Sequence, residues 1–90
     1  MPKRAHVTYS GTVQGVGFRF TVVALARSLG VTGWVSNLDN GDVALEAEGP
    51  QDAVEDFLSQ INDRFSGYIA SAHVTWEEAA AGFRDFAVRF

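Results

Sequence analysis

The 90-residue chain contains no cysteine. Disulfides, a thiolate nucleophile and cysteine-ligated zinc are therefore excluded. The redox compartment stays open, although a small secreted domain more often carries bridges. No apolar run approaches the roughly 20 residues that cross a membrane, and Met1-Pro2-Lys3-Arg4 has charge with no apolar stretch behind it. No membrane partner and no signal peptide are expected, and the cytoplasm is the expected location. Positive charge is also short: seven Lys and Arg against eleven Asp and Glu leave a net charge of -4. A general nucleic-acid binder needs a basic footprint, so no nucleic-acid partner is expected, and an anion would have to be held at a local site. The two histidines, His6 and His73, fall on polar strand positions and make no ligand pattern.

What is present is apolar. Hydrophobic residues make up 47% of the chain and charged residues 20%, a balance that folds rather than stays disordered. The length fits one domain over 1–90. A domain this small buries only roughly 60–65% of its unfolded surface, and the seven Phe and two Trp are its natural core.

Two periods alternate along the chain. Over residues 5–13, Val7, Tyr9, Gly11 and Val13 point one way and His6, Thr8, Ser10 and Thr12 the other, the period of a half-buried strand. From Phe18 the spacing turns helical, with Phe18, Val22, Leu25, Ala26 and Leu29 on one face and Gly30 as a stop. A second strand is predicted over 31–38 and a third over 42–48, joined through Asn40-Gly41, a pair suited to a type I′ turn. On the third strand Val43, Leu45 and Ala47 are expected inside, with Asp42, Glu46 and Glu48 in water. Pro50 opens a second helix at its first position, with Val54, Phe57, Leu58, Ile61 and Phe65 as its buried stripe. Residues 71–77 read as a fourth strand. Residues 84–90 read as a short fifth, with Phe86, Val88 and Phe90 on one side. The order βαββαβ plus a terminal strand predicts an α+β, ferredoxin-like sandwich: one antiparallel sheet with two helices on one face.

The stretch that carries chemistry is Gly11-Thr12-Val13-Gln14-Gly15-Val16-Gly17-Phe18-Arg19. A strand ends, glycines permit a tight loop and a helix begins. Main-chain N–H groups at a helix N-terminus have no internal partner, and with the positive end of the dipole they make an anion cradle. Arg19 in the first helical turn opposes that dipole, an arrangement that a bound phosphate reverses, since a guanidinium grips two phosphate oxygens at once. The second feature is Gly33-Trp34-Val35-Ser36-Asn37, whose terminal carboxamide both donates and accepts and is suited to hold a water molecule. The residues alone leave two plainer readings open: a simple strand-to-helix turn with Arg19 as a surface cation, and Asn37 as a turn-former. Trp34, facing away from Val35, is a candidate to shield the site.

Together, Val13-Gln14-Gly15-Val16-Gly17-Phe18-Arg19, Gly33-Trp34-Val35-Ser36-Asn37 and Asn40-Gly41-Asp42-Val43 resemble the acylphosphatase family, in order and in separation. The similarity runs over roughly residues 5–65, and Phe86-Ala87-Val88-Arg89-Phe90 resembles the family's last strand. The resemblance implies hydrolysis of small acyl phosphates to a carboxylate and inorganic phosphate, with no metal and no other cofactor expected. It places the phosphate-binding arginine on Arg19, the water-orienting asparagine on Asn37, and the phosphate loop on Gln14, Gly15, Val16, Gly17 and Phe18. Ser36 departs from the pattern where a basic residue is common, as does Ser66-Gly67-Tyr68 where Gly-Pro is usual; the first bears on the attraction of an acidic substrate. A monomer is expected.

Two other functions fit the same outline. One is the acylphosphatase-like domain of a hydrogenase-maturation carbamoyltransferase, acting on carbamoyl phosphate. The other is a ferredoxin-like RNA-binding or regulatory module, since fold does not fix function. RNA-binding versions display aromatics on exposed strands, whereas here Tyr9 falls on the apolar side, opposite His6, Thr8 and Ser10.

Overall fold

The computed structural model describes residues 2–90. The chain runs β1 (Pro2–Gly11), α1 (Phe18–Leu29), β2 (Thr32–Asn37), β3 (Val43–Pro50), α2 (Gln51–Arg64), β4 (Ile69–Glu78) and β5 (Phe86–Val88). These elements form one five-stranded sheet in the order β4-β1-β3-β2-β5. The ferredoxin-like α+β layout read from the sequence is the one observed.

Alternation decides which side of each strand is buried. Val7 pairs with Leu45, and Leu45 with Val35, so three strands present one apolar row to the helices. Phe18, Val22, Leu25 and Ala26 of α1 and Val54, Phe57, Leu58 and Ile61 of α2 close on that row. Aromatic edges key the layers together: Tyr9 meets Phe18 with ring centroids 5.2 Å apart, Phe18 meets Phe65 at 4.8 Å, and Phe57 meets Phe86 at 5.6 Å. Each buried phenylalanine contributes about 1.5–3 kcal/mol relative to leaving it exposed. Gly33 makes the β2–β3 approach possible. Its φ is 146°, and a Cβ there would lie 1.8 Å from the Glu46 carbonyl oxygen.

Several expectations are corrected. The sheet is not wholly antiparallel: β5 pairs parallel to β2, with Gly33 beside Phe86 and Val35 beside Val88. A strand that follows a chain crossing from the opposite edge enters in whichever direction the crossing leaves it, and no local pattern encodes that. The β2–β3 connection is not a type I′ turn. It is a three-residue loop, Asp39–Gly41, closed by the Leu38 N–H donating to the Asp42 carbonyl at 2.8 Å. Only Gly41 there has positive φ, as a turn ending in one left-handed residue requires. Pro50 is the N-cap of α2 rather than its first residue. Phe90 lies beyond β5 and is fully exposed, whereas Phe86 is in the core.

The largest correction concerns Glu48. Alternation puts it on the face away from the helices, but it is only 6% exposed. The chain between β4 and β5, residues 79–85, crosses that face as a strap. The Glu48 carboxylate accepts from Arg4 Nε at 2.8 Å and from the main-chain N–H groups of Ala80 at 3.2 Å and Ala81 at 2.6 Å. Beside it, Glu46 accepts from the Trp34 indole at 3.1 Å and lies 3.3 Å from His6 Nδ1.

Burial pushes the Glu48 carboxyl up, but the Arg4 guanidinium and the two amides outweigh it and hold the group below the ordinary glutamate value. A carboxyl depressed in the folded state adds stability above its unfolded value of about 4.3, and that stability is lost as the pH falls through the lower folded value. Glu78, beside Lys3, and Asp85, beside the Phe86 N–H and Arg27, are depressed too. In urea titrations across pH, the midpoint is expected to be level above about pH 5 and to fall below about pH 4. Glu48→Gln is expected to lower the plateau by about 2 kcal/mol and to make the acid fall shallower.

Candidate active site

The chain leaves β1 at Gly11 and enters α1 at Phe18, and two residues between them take left-handed backbone: Gly15 at φ 79° and Gly17 at φ 78°. That conformation costs a side-chain-bearing residue about 1–2 kcal/mol. A Cβ at either glycine would meet no protein atom within 4 Å, so φ rather than space calls for glycine here. Gly17 is the N-cap of α1. It has no side chain to cap the helix, and no acidic residue follows in the first turn. The first helical bond is the Thr21 N–H to the Gly17 carbonyl at 3.1 Å. Among the described residues, the main-chain N–H groups from Gly15 to Arg19 find no main-chain acceptor. These donors lie at the positive end of a helix dipole.

The Phe18 ring anchors the helix start in the core, between Tyr9 and Phe65. Its neighbour Arg19 therefore points outward into a depression of about 290 Å³ lined by Val13, Gly15, Gly17, Phe18, Phe20, Asn37, Val88 and Phe90. Among the described residues, no carboxylate pairs with the Arg19 guanidinium. It stands 5.7 Å from the centre of the Phe90 ring. A cation beside unpaired N–H donors, with no anion supplied by the protein, is an electrostatic arrangement completed by an anion from outside.

Asn37 ends β2 on the opposite wall. Its Oδ1 is buried and, among the described residues, meets no donor. An unsatisfied buried carbonyl costs about 1–3 kcal/mol, and groups of that kind in native proteins tend to have a reason to be there.

The structure thus brings together Gly15, Gly17, Phe18, Arg19 and Asn37. Gln14 and Val16 do not line the depression. Val16 leans on the core. The Gln14 side chain turns away, its Nε2 donating to the Leu38 carbonyl at 2.8 Å and the Asp42 carbonyl at 2.9 Å. It ties the loop before α1 to the loop after Asn37. Trp34 does not shield the site. It lies on the other sheet face, bonded to Glu46 and stacked under Arg89 at 4.6 Å. Ser36 also faces away, its hydroxyl donating to the Asn37 carbonyl at 3.3 Å. Val13, Phe20, Val88 and Phe90 are lining residues that the sequence reading left out. The helical period offered one signal: it puts Phe20 off the buried stripe, and Phe20 is 81% exposed.

The acylphosphatase family model matches residues 5–88. The chain belongs to the acylphosphatase family. Among named relatives, it is 43% identical to the acylphosphatase of Salinibacter ruber over 88 residues, which cover 97% of this chain and 93% of the relative. It is 40% identical to that of Methanospirillum hungatei, with 97% of each chain covered. The crystal structure of the Bacillus subtilis acylphosphatase superposes with a TM-score of 0.91 at 32% identity, covering 98% of this chain and 99% of that one. Full-length HypF, in its phosphate- and nucleotide-bound form, shares the fold over 12% of its length at 24% identity and a TM-score of 0.86. The protein is thus an enzyme of the acylphosphatase kind, acting on small acyl phosphates.

The two Gln14 bonds fix how far the loop stands from Asn37. Gln14→Ala is expected to cost about 1–2 kcal/mol of stability and to lower acylphosphatase kcat by about tenfold, since small misplacements are expensive. Gln14→Glu, which sets a carboxylate against two carbonyl oxygens, is expected to lose more. Urea midpoints and steady-state rates measured side by side check both.

Proposed function

We propose that Arg19 and the main-chain N–H groups of the Gln14–Phe18 loop bind the phosphoryl group, and that Asn37 aims the water that attacks it. The observation that carries this reading is the pairing of an unsatisfied buried Asn37 Oδ1 with a guanidinium free of any protein carboxylate, across one depression. Water is a natural partner for the first, and a phosphate for the second.

An acyl phosphate is already activated, because a carboxylate leaves readily. Phosphoryl transfer passes through a loose transition state, so catalysis is chiefly positioning and charge stabilisation. Arg19 and the loop N–H groups hold the equatorial oxygens and strengthen as charge grows on the leaving group. The Asn37 Oδ1 accepts one proton of the water and turns its oxygen toward phosphorus. A water O–P bond forms, the bond from phosphorus to the acyl oxygen breaks, and its electron pair leaves with the carboxylate. A phosphate oxygen takes the water's proton, giving inorganic phosphate. In this scheme the positive charge that a divalent ion often supplies comes from the guanidinium and the helix start.

The relatives matched almost end to end are named acylphosphatases, which supports this activity over a carbamoyl-transfer role. We propose further that the 90 residues work as one domain and as a monomer, in the cytoplasm, without nucleic acid.

Benzoyl phosphate hydrolysis, followed with and without EDTA, tests the scheme. Arg19→Ala removes two charged bonds of about 1.5–3 kcal/mol each, and kcat/KM is expected to fall by about 10²–10⁴-fold. Arg19→Lys, which lacks the planar fork, is not expected to restore it. Asn37→Ala is expected to lower kcat by about 10²-fold with little change in KM. EDTA is expected to have no effect. Near-normal rates in either alanine variant would remove that residue from the scheme, and loss of rate with EDTA would remove the metal-free step.

A further inference from the structure

We propose that Glu48 is a remote positioning residue for substrate binding: it clamps the strap that delivers Val88 and Phe90 to the wall of the active site. The proposal rests on the site reading above. Glu48 touches none of the lining residues. It lies on the sheet face away from the helices and at the end of the sheet opposite Asn37. It lies five residue steps along β3 from Val43, the partner of Asn37, which is about 17 Å at roughly 3.3 Å per step.

The strap has little slack. From β4 to β5 it must pass beneath β1, β3 and β2, four strand spacings of about 4.8 Å or about 19 Å in all. The eight residue steps from Glu78 to Phe86 reach at most about 26–29 Å, and part of that goes into turning at either edge. A connection this taut is set by whatever holds its middle, and Glu48 does. Two consecutive strap N–H groups, Ala80 and Ala81, converge on the one carboxylate. Just past these donors the chain turns through φ 54° at Ala81, the one left-handed residue other than glycine among the described residues. Strain of that sort persists only where surrounding contacts over-determine it. Arg4 adds a second hold, pairing with Glu48 and stacking on Phe83 of the strap at 4.5 Å.

Past the clamp the chain is led straight to the pocket. The Gly33 N–H donates to the Asp85 carbonyl at 2.9 Å, and the Arg89 N–H donates to the Val35 carbonyl at 2.8 Å. Between these two bonds lie the three residues of β5, paired on one side only, against β2. Phe86 seats β5 in the core against Phe57, and the strap ahead of it sets the path by which Val88 and Phe90 reach the depression. Arg19 and Asn37, by contrast, stand on α1 and β2. Releasing the clamp therefore loosens the wall and leaves the phosphate-gripping groups in place, an effect on KM rather than on kcat.

The test combines benzoyl phosphate kinetics with amide hydrogen exchange on the full chain. In Glu48→Gln, KM is expected to rise about five- to tenfold with kcat within about twofold, and the Gly33 and Arg89 amides are expected to exchange about tenfold faster. In a Val88→Ala, Phe90→Ala background, where the wall is already gone, Glu48→Gln is expected to add nothing further to KM. Phe83→Ala weakens the same strap without stranding a buried charge. It serves where Glu48→Gln fails to fold, with the same pattern at smaller amplitude. Unchanged exchange, an unchanged KM, or an equal KM effect in both backgrounds would overturn the proposal and leave Glu48 a purely structural residue. Full activity in Arg19→Ala would count against the site reading instead, while the exchange arm, which needs no substrate, still decides the clamp.

Discussion

Two loop carbonyls, those of Leu38 and Asp42, accept from one carboxamide, that of Gln14, and the candidate active site is built around that junction. An anion held by main-chain N–H groups is held only as well as the chain carrying them is fixed. The loop before α1 has two left-handed glycines and no side-chain cap. Val13 and Val16 seat it on the core, and Gln14 ties it to the β2–β3 loop, at the residues that follow Asn37. Behind the loop, Phe18 is locked in the core, which fixes the first turn of α1 and with it the direction of Arg19. A small apolar core and one side-chain clamp thus give a charged site the rigidity it needs.

The two faces of the sheet solve different problems. The helix side buries a continuous apolar row, the cheapest stability available to so short a chain. The other side carries Arg4, His6, Glu46 and Trp34, a network in which each carboxylate meets a donor. Burying an unpaired carboxylate is costly, and removing one member of a buried pair leaves that cost exposed. Glu48 avoids it by drawing donors from two sources, the Arg4 side chain and the strap's own backbone. The polar face thereby sets where the strap crosses and where the last strand begins.

Much of this was legible from the chain. Period two over Val7 and Tyr9, and period 3.6 from Phe18 to Leu29, fixed both elements and the turn between them, and Arg19 stood out because it sat against the helix dipole. Parity also placed Asn37 on the Val35 side and Trp34 on the other, which is why a shielding role for Trp34 could not hold. What escaped were features made by the chain's return. Alternation gives the face on which Glu48 sits, not what comes to cover it. The parallel pairing of β5, and with it the presence of Val88 and Phe90 in the pocket, follows from a taut crossing over three strands. Ala79-Ala80-Ala81-Gly82 carries no periodic signal for that path. The resemblance put Gln14 in the phosphate loop through its main chain and said nothing of its side chain, whose service to the hairpin shows only in its two acceptors.

The central claim is that a preorganised ring of main-chain donors and the Arg19 guanidinium seize the phosphoryl group together. Titrating the 15N-labelled protein with inorganic phosphate tests it most directly. The amides from Gly15 to Arg19, the Arg19 Nε–H and the Asn37 carboxamide should shift along one saturation curve, while those of β4 and α2 stay still. Phosphate-dependent shifts that bypass Arg19 and the loop, or that appear there with separate affinities, would contradict it.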